Sequence, residues 1–215
     1  MNYKALKFMS TVVLAASLGG ALTACVPLVL GGAMMGGALV ASDRRTSGAQ
    51  LEDEGIELRA ANRVRQGLGD RGHVNVTSYN RRILITGEVA SDADRALVEQ
   101  IASQVENVRY VANELAILGH STLTQRSSDV LVGARVKAGF VDARDLFANA
   151  IKVVTERGVV YLMGRVTQRE ADRATDVARS TSGVQKVVRV FEIISEQELA
   201  NLMPRPAPET TTPRN

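Results

Sequence analysis

The sequence predicts an α+β chain built from two tandem αββαβ modules. Three observations carry this: an internal repeat, a period-two hairpin in each copy, and a helical stripe on either side of each hairpin. Residues 73–89 align with 150–166 at an offset of 77, so that Val76 meets Val153, Gly87 meets Gly164 and Val89 meets Val166. Past a one-residue gap the offset is 76, pairing Ile101 with Val177, Ala102 with Ala178, Val108 with Val184 and Ile117 with Ile193. Self-similarity of this kind marks one supersecondary unit used twice.

Each module opens with a helix, about Glu54 to Leu68 and Asp129 to Phe140. A hairpin follows. Val74 and Val76, then Ile83, Ile85 and Val89, alternate around a turn at Asn80-Arg81, and Ile151, Val153, Val160, Leu162 and Val166 do so around Glu156-Arg157-Gly158. The next stripe, Leu97, Val98, Ile101, Ala102 and Val105, is opened by Ser91 with Asp92 and Asp94 in the first turn. Its counterpart is Ala171, Ala174, Val177 and Ala178, with Gly183 as the stop. A last strand is expected near Val111 to Ile117 and Val187 to Ile194, its facing ambiguous from the pattern. A right-handed crossover from the second strand to the third places both helices on one face of a three-stranded mixed sheet. The other face is then either covered or wet. Gly87 and Gly164, late in their strands, read as sites of close backbone approach rather than as ligand residues.

The ends differ from this body. Lys4 and Lys7 precede a charge-free run from Thr11 to Ala41, long enough to cross a bilayer, but Met9 to Ala21 has the length of a signal-peptide core and leads into Leu22-Thr23-Ala24-Cys25. This segment resembles the lipobox of a bacterial lipoprotein signal peptide. The resemblance implies cleavage after residue 24, a diacylglycerol thioether on the Cys25 sulfur and a fatty acyl group on its α-amine. That covalent lipid is the only cofactor expected, and several acyl chains on one residue anchor a protein stably. In that family an Asp after the cysteine retains the protein in the inner membrane. Val26 stands here instead, which implies the inner leaflet of the outer membrane of a Gram-negative bacterium, with the body in the periplasm. Residues 25–50 read as the lipidated cysteine with a Gly-rich apolar tether and connector, 51–118 as the first module, 119–127 as a linker and 128–195 as the second module. Residues 196–215 read as a short helix and a Pro-rich disordered tail.

The repeated αββαβ unit, with a hairpin ending in Gly-x-Val and a Val-x-x-Val before the last strand, resembles the BON domain. Asp43-Arg44-Arg45-Thr46-Ser47-Gly48-Ala49-Gln50-Leu51-Glu52-Asp53 is similar to the connector of the dual-BON outer-membrane lipoproteins, the division- and outer-membrane-stress-associated lipid-binding family. One departure stands out: the family's Asn in the last strand is matched by Asn113 in the first copy and by Arg189 in the second.

Residue types argue against catalysis, so no enzyme is expected. His73 and His120, the only histidines, sit in no spacing with Cys, Asp or Glu that suggests a metal or a nucleophile. No phosphate-cradling Gly-rich loop precedes a helix, and Glu52-Asp53-Glu54 reads as a helix N-terminus and solvated surface. Without Lys4 and Lys7 the chain has 24 basic and 23 acidic side chains, a balance that gives no reason to expect nucleic acid. The modules differ, however: residues 51–118 hold 8 basic and 11 acidic side chains, whereas 127–195 hold 11 and 8. The second module is therefore the one suited to an anionic surface, where each Lys or Arg contributes roughly 1 kcal/mol. If Val132, Gly133, Val136 and Phe140 face its sheet, as Ala60, Ala61, Val64 and Leu68 do in the first, then Val130, Leu131 and Ala134 face outward beside Arg135 and Lys137. Apolar residues exposed beside cations are what an interfacial helix requires. Packing of Val130 and Leu131 under the first module is the competing reading, and module packing is also expected for Tyr161 and Met163.

The resemblance agrees with a lipid role, because lipid binding in the family is attributed to the first helix of the second BON domain. It implies a non-enzymatic lipoprotein that binds anionic phospholipid such as phosphatidylglycerol, supports envelope integrity and gathers at division sites. Two other readings stay open: a lipid-tethered protein-binding adaptor for outer-membrane protein assembly, and a chaperone-like periplasmic module. No small-molecule substrate is expected in any of them.

Overall fold

The computed structural model describes residues 43–119 and 121–202. The signal-peptide, Cys25 and tether readings, His120 and the Pro-rich tail lie outside the described residues.

The first module runs α1 (Ser47–Leu68), β1 (Gly72–Tyr79), β2 (Arg82–Val89), α2 (Asp92–Ser103), β3 (Tyr110–Asn113) and β4 (Ala116–Ile117). The second runs α3 (Leu123–Asp142), a 3₁₀ turn at Ala148–Ala150, β5 (Ile151–Glu156), β6 (Val159–Val166), α4 (Gln168–Ser180) and β7 (Lys186–Ile193), with α5 (Glu196–Leu202) after it. In both, the middle strand of the sheet is the second in sequence: β2 pairs antiparallel with β1 and parallel with β3 and β4, and β6 does the same with β5 and β7. The last strand of the first module is interrupted where β7 is continuous. There the Glu114 N–H donates to the Ile85 carbonyl and the Leu115 N–H to Asn113 Oδ1.

Alternation along the middle strands builds three cores. Ile83, Ile85 and Val89 pack against Ile56, Ala60 and Val64 of α1 and Val98 and Ala102 of α2. Val160, Leu162 and Val166 pack likewise against Val132, Val136 and Phe140 of α3 and Ala171, Ala174 and Ala178 of α4. Residues of opposite parity make the third core from both modules: Tyr79, Leu84 and Ala112 against Tyr161, Met163 and Val190. The two sheets thus cover each other, with helices outside, and the open question of the second sheet face is settled. Tyr161 and Met163 serve module packing.

Both hairpins close through two-residue turns with positive φ, Asn80 (49°) with Arg81 (64°) and Arg157 (53°) with Gly158 (74°). A buried carboxylate from the preceding helix holds each. Asp53 accepts from the N–H groups of Asn80 and Arg81 at 2.7 Å and from Ser78 Oγ at 2.7 Å. Asp129 accepts from the N–H groups of Arg157 and Gly158 at 2.7 and 2.8 Å. Asp53, at 2% exposure, is therefore a turn anchor and not a solvated charge. Its equivalence with Asp129 also corrects the helix alignment by one turn. Ile56, Glu57, Ala60 and Val64 are the counterparts of Val132, Gly133, Val136 and Phe140.

Each opening helix starts earlier than expected, at Ser47 and Leu123. Thr46 and Thr122 hydroxyls accept the Ala49 and Gln125 N–H groups at 3.1 and 3.2 Å, which is ordinary N-capping. Part of the expected connector and linker is therefore helix. Gly87 and Gly164 are fold residues: a Cβ on them would lie 2.0 Å from the His73 carbonyl oxygen and 2.5 Å from that of Ala150.

The connector just before α1 ties the modules together. Arg44 grips Glu170 at 2.6 and 2.8 Å, donates to the Arg165 carbonyl and lies over the Phe147 ring. Arg45 pairs with Asp43 and Asp53 and lies 4.1 Å over the Tyr79 ring centre. Further contacts join the modules, among them Arg157 to Glu88 at 2.9 Å, Lys152 to Glu57 at 2.9 Å, and Asn80 to Glu192 at 2.6 Å.

Candidate functional site

The repeat provides an internal control for finding a site, because the two opening helices bury equivalent positions and differ in what they show to solvent. On α3, Asp129, Val132, Val136 and Phe140 face inward. Opposite them, Leu123, Val130, Ala134 and Val141 recur at spacings of seven, four and seven, which a 3.6-residue turn brings onto one line. Leu123 is 81% exposed, Val130 72% and Val141 71%, with Leu131 beside them at 58%. Ala134, Arg135 and Lys137 are exposed too. All five sequence-predicted residues thus share the outward side of α3, and Val130 and Leu131 do not pack under the first module. Sequence reasoning missed Leu123 and Val141 because α3 was expected to start at Asp129 and end at Phe140. The Thr122 N-cap signal, a Thr before a Leu with Gln three residues on, was there to find.

On α1 the same four positions carry Ser47, Glu54, Leu58 and Arg65, so no apolar line forms, although Leu51 and Leu58 are exposed. Charges differ in the same sense. Arg59 and Arg63 of α1 pair with Glu52 and Glu106. Arg126, Arg135 and Lys137 of α3 enter no ion pair among the described residues; Arg126 donates to Ser121 Oγ at 3.1 Å and Arg135 to the Ser182 carbonyl at 3.5 Å. Helix α3 therefore presents an apolar line flanked by cations that enter no ion pair among the described residues.

Other titratable groups are structural. Burial pushes Glu88 up, but Arg157 and Ser121 more than offset it and leave its carboxyl below the usual range. Burial and Arg44 oppose each other in the same way at Glu170, with Arg44 prevailing. Burial in the inter-module core raises Tyr161 to about 12. His73 Nδ1 lies 3.6 Å from Glu88 Oε2. Among the described residues no cluster of His, Cys, Asp and Glu is arranged to hold a metal, and no helix is long and apolar enough to cross a membrane.

The BON domain matches residues 56–119 and 128–195. The chain belongs to the BON-domain family. The outer membrane lipoprotein DolP of Haemophilus influenzae is 39% identical over 176 residues, covering 80% of this chain and 90% of the relative. A 21 kDa hemolysin of Actinobacillus pleuropneumoniae is 29% identical, covering 71% and 79% of the two chains. The osmotically-inducible protein Y of Escherichia coli is 25% identical over 70% of this chain and 77% of its own length. These matches make the chain a dual-BON outer-membrane lipoprotein of a Gram-negative bacterium, non-enzymatic and concerned with the cell envelope. In this BON protein both the last-strand Asn113 and its counterpart Arg189 tie that strand to the second helix of the module, while Asn113 alone also accepts the Leu115 N–H at the strand break. Asn113 Nδ2 donates to the Arg95 carbonyl and to Glu99 of α2, and Arg189 donates to Asp172 of α4 at 2.7 Å.

Proposed function

We propose that the chain is anchored through lipidated Cys25 in the inner leaflet of the outer membrane, and that its second BON domain binds anionic phospholipid through α3. One observation carries the reading: of two helices equivalent in fold, only α3 joins a line of exposed apolar residues to cations outside any ion pair among the described residues. An interfacial helix works by laying such a line at the headgroup boundary while its cations meet anionic lipid. Leu123, Val130, Leu131, Ala134 and Val141 supply the apolar contact, and Arg126, Arg135 and Lys137 the charge. Lipid capture beside the anchor would hold the periplasmic body flat on the leaflet and so support envelope integrity, including at division sites.

Hydrogen exchange of the mature lipoprotein tests this in nanodiscs of phosphatidylcholine with and without phosphatidylglycerol. Protection of α3 is expected only with the anionic lipid, and Val130→Asp should remove it. Equal exchange of α3 in both discs would leave the lipid as an anchor alone and favour a protein-binding adaptor.

A further inference from the structure

The two modules end differently, and the difference leaves the first with an open cleft. In the second, Val166 pairs with Ile193 at the end of the sheet, and the chain then turns through Ile194 into α5. Glu198 of α5 reaches back to Arg165 of β6 at 2.6 Å, and Glu196 stands 3.9 Å from Arg169 of α4. Ile194 and Leu199 are left 5% and 7% exposed. Helix α5 thus caps the end of its own sheet, with a leucine turned inward and two carboxylates holding it to arginines.

In the first module Val89 pairs with Ile117 in the same way. No cap follows. Beyond Gly119 the chain leads into α3, and Leu118, the counterpart of Ile194, is 52% exposed beside Ile117 at 40%. A cleft of about 500 Å³ opens there, lined by Asp70, Gly72, Val89, Ile117 and Leu118 among others. The repeat therefore shows what this apolar strand end takes when it is covered: a short segment carrying a leucine.

Charge shows how that segment must differ from α5. Arg165 and Arg169, which hold α5, correspond to Glu88 and Asp92 of the first module, so both signs are reversed. Glu88 is answered by Arg157 at 2.9 Å, and Arg71 on the cleft wall by Asp94. Asp70 and Asp92 are exposed and enter no ion pair among the described residues. An acidic segment such as α5 is repelled by this rim, whereas a basic one is drawn to it.

We propose that the cleft docks a partner protein through a short amphipathic segment, with an apolar side chain on Ile117 and Leu118 and lysine or arginine at Asp70 and Asp92. The segment is in effect α5 with its charges inverted. This goes beyond the lipid reading of α3 and stands without it: the acidic first module recognises protein at the end of the sheet that the second module closes with its own chain.

The mature lipoprotein, labelled at isoleucine and leucine methyl groups, is placed in phosphatidylcholine nanodiscs and titrated with two synthetic peptides. One has the sequence of residues 194–202, and the other the same sequence with Glu196→Lys and Glu198→Lys. The lysine peptide is expected to shift the Ile117 and Leu118 methyl resonances and to bind about tenfold more tightly than the acidic one, in line with two exposed ion pairs. Leu118→Ser, at an exposed position, should abolish the shifts, and Asp70→Lys with Asp92→Arg should reverse the preference between the peptides. Equal affinity for the two peptides, or binding that survives Leu118→Ser, would overturn the proposal. So would a lysine peptide that fails to saturate the shifts below about 5 mM. Shifts of the same methyl groups when phosphatidylglycerol enters the discs without peptide would assign the cleft to the membrane and overturn the protein partner.

Discussion

Two carboxylates do in this chain what turn-forming sequences do elsewhere. Type I′ geometry needs positive φ at both central residues, which Asn-Gly supplies cheaply. Asn80-Arg81 and Arg157-Gly158 are poorer choices, and they persist because Asp53 and Asp129 hold two turn N–H groups each. Charge-assisted hydrogen bonds to buried groups are among the stronger single contacts, and removing the acceptor strands both donors. Asp129→Ala is therefore expected to cost about 2–4 kcal/mol in urea unfolding, and Asp129→Asn less, since one oxygen remains. A loss below about 0.5 kcal/mol would mean that the turn needs no anchor. Gly87 is less forgiving still. At φ 117° a side chain is strained, and its Cβ would meet backbone rather than a movable side chain. Gly87→Ala should lower soluble yield and cost at least about 2 kcal/mol; an unchanged midpoint would show that β1 can shift away.

Helix α3 shows how a duplicated element is freed for a new task. Its inward residues are fixed by the core it shares with α4 and β6, but nothing in folding dictates the outward line, so that face can diverge without loss of fold. Giving α3 the residues of α1 at three positions, Leu123→Ser with Val130→Glu and Val141→Arg, should therefore leave the melting temperature within about 3 °C and abolish protection of α3 by anionic nanodiscs. A large fall in melting temperature would show that the line packs on protein instead. This division also explains what was legible in the sequence. Hairpins, crossover helices and sheet content follow from period-two and 3.6-residue alternation, and the repeat doubled the evidence for each. The helix starts were hidden because only the small Ala49 stands on the inward side in Ser47 to Gln50 and the polar Gln125 in Leu123 to Arg126, so the capping threonines are the main marks. Asp53 and Asp129 were illegible as anchors, since a carboxylate on a helix reads as solvated until the turn it reaches is known.

At the scale of the whole described body, the modules are joined by an apolar sheet-on-sheet core and by polar contacts at its margin, and one of these belongs to the segment just before α1. Asp94 of the first module pairs with Arg71 from its own loop, whereas Glu170, in the equivalent helix position, takes Arg44 from the connector. Arg44 and Glu170 side chains are 7% and 2% exposed, so neither can fall back on water. Breaking a buried pair by removing one partner leaves the other charge uncompensated, at a cost of about 3–5 kcal/mol. Arg44→Met should thus be strongly destabilising near neutral pH. The direction of its pH dependence then follows from Glu170. In the native protein its carboxyl titrates below the usual range, so its contribution to stability is complete above that range and is lost as pH falls through the depressed value. Once the guanidinium is replaced by a thioether, the Thr167 N–H and the charge of Arg169 are left to oppose burial, so the carboxyl moves up from its depressed value and the variant loses less stability as the pH falls. The stability gap between the two proteins should therefore be widest near about pH 7 and should close toward about pH 4. Urea unfolding at both values measures it. A gap that stays constant would mean that Glu170 meets another cation when Arg44 is gone, and that the connector is not what completes the second module.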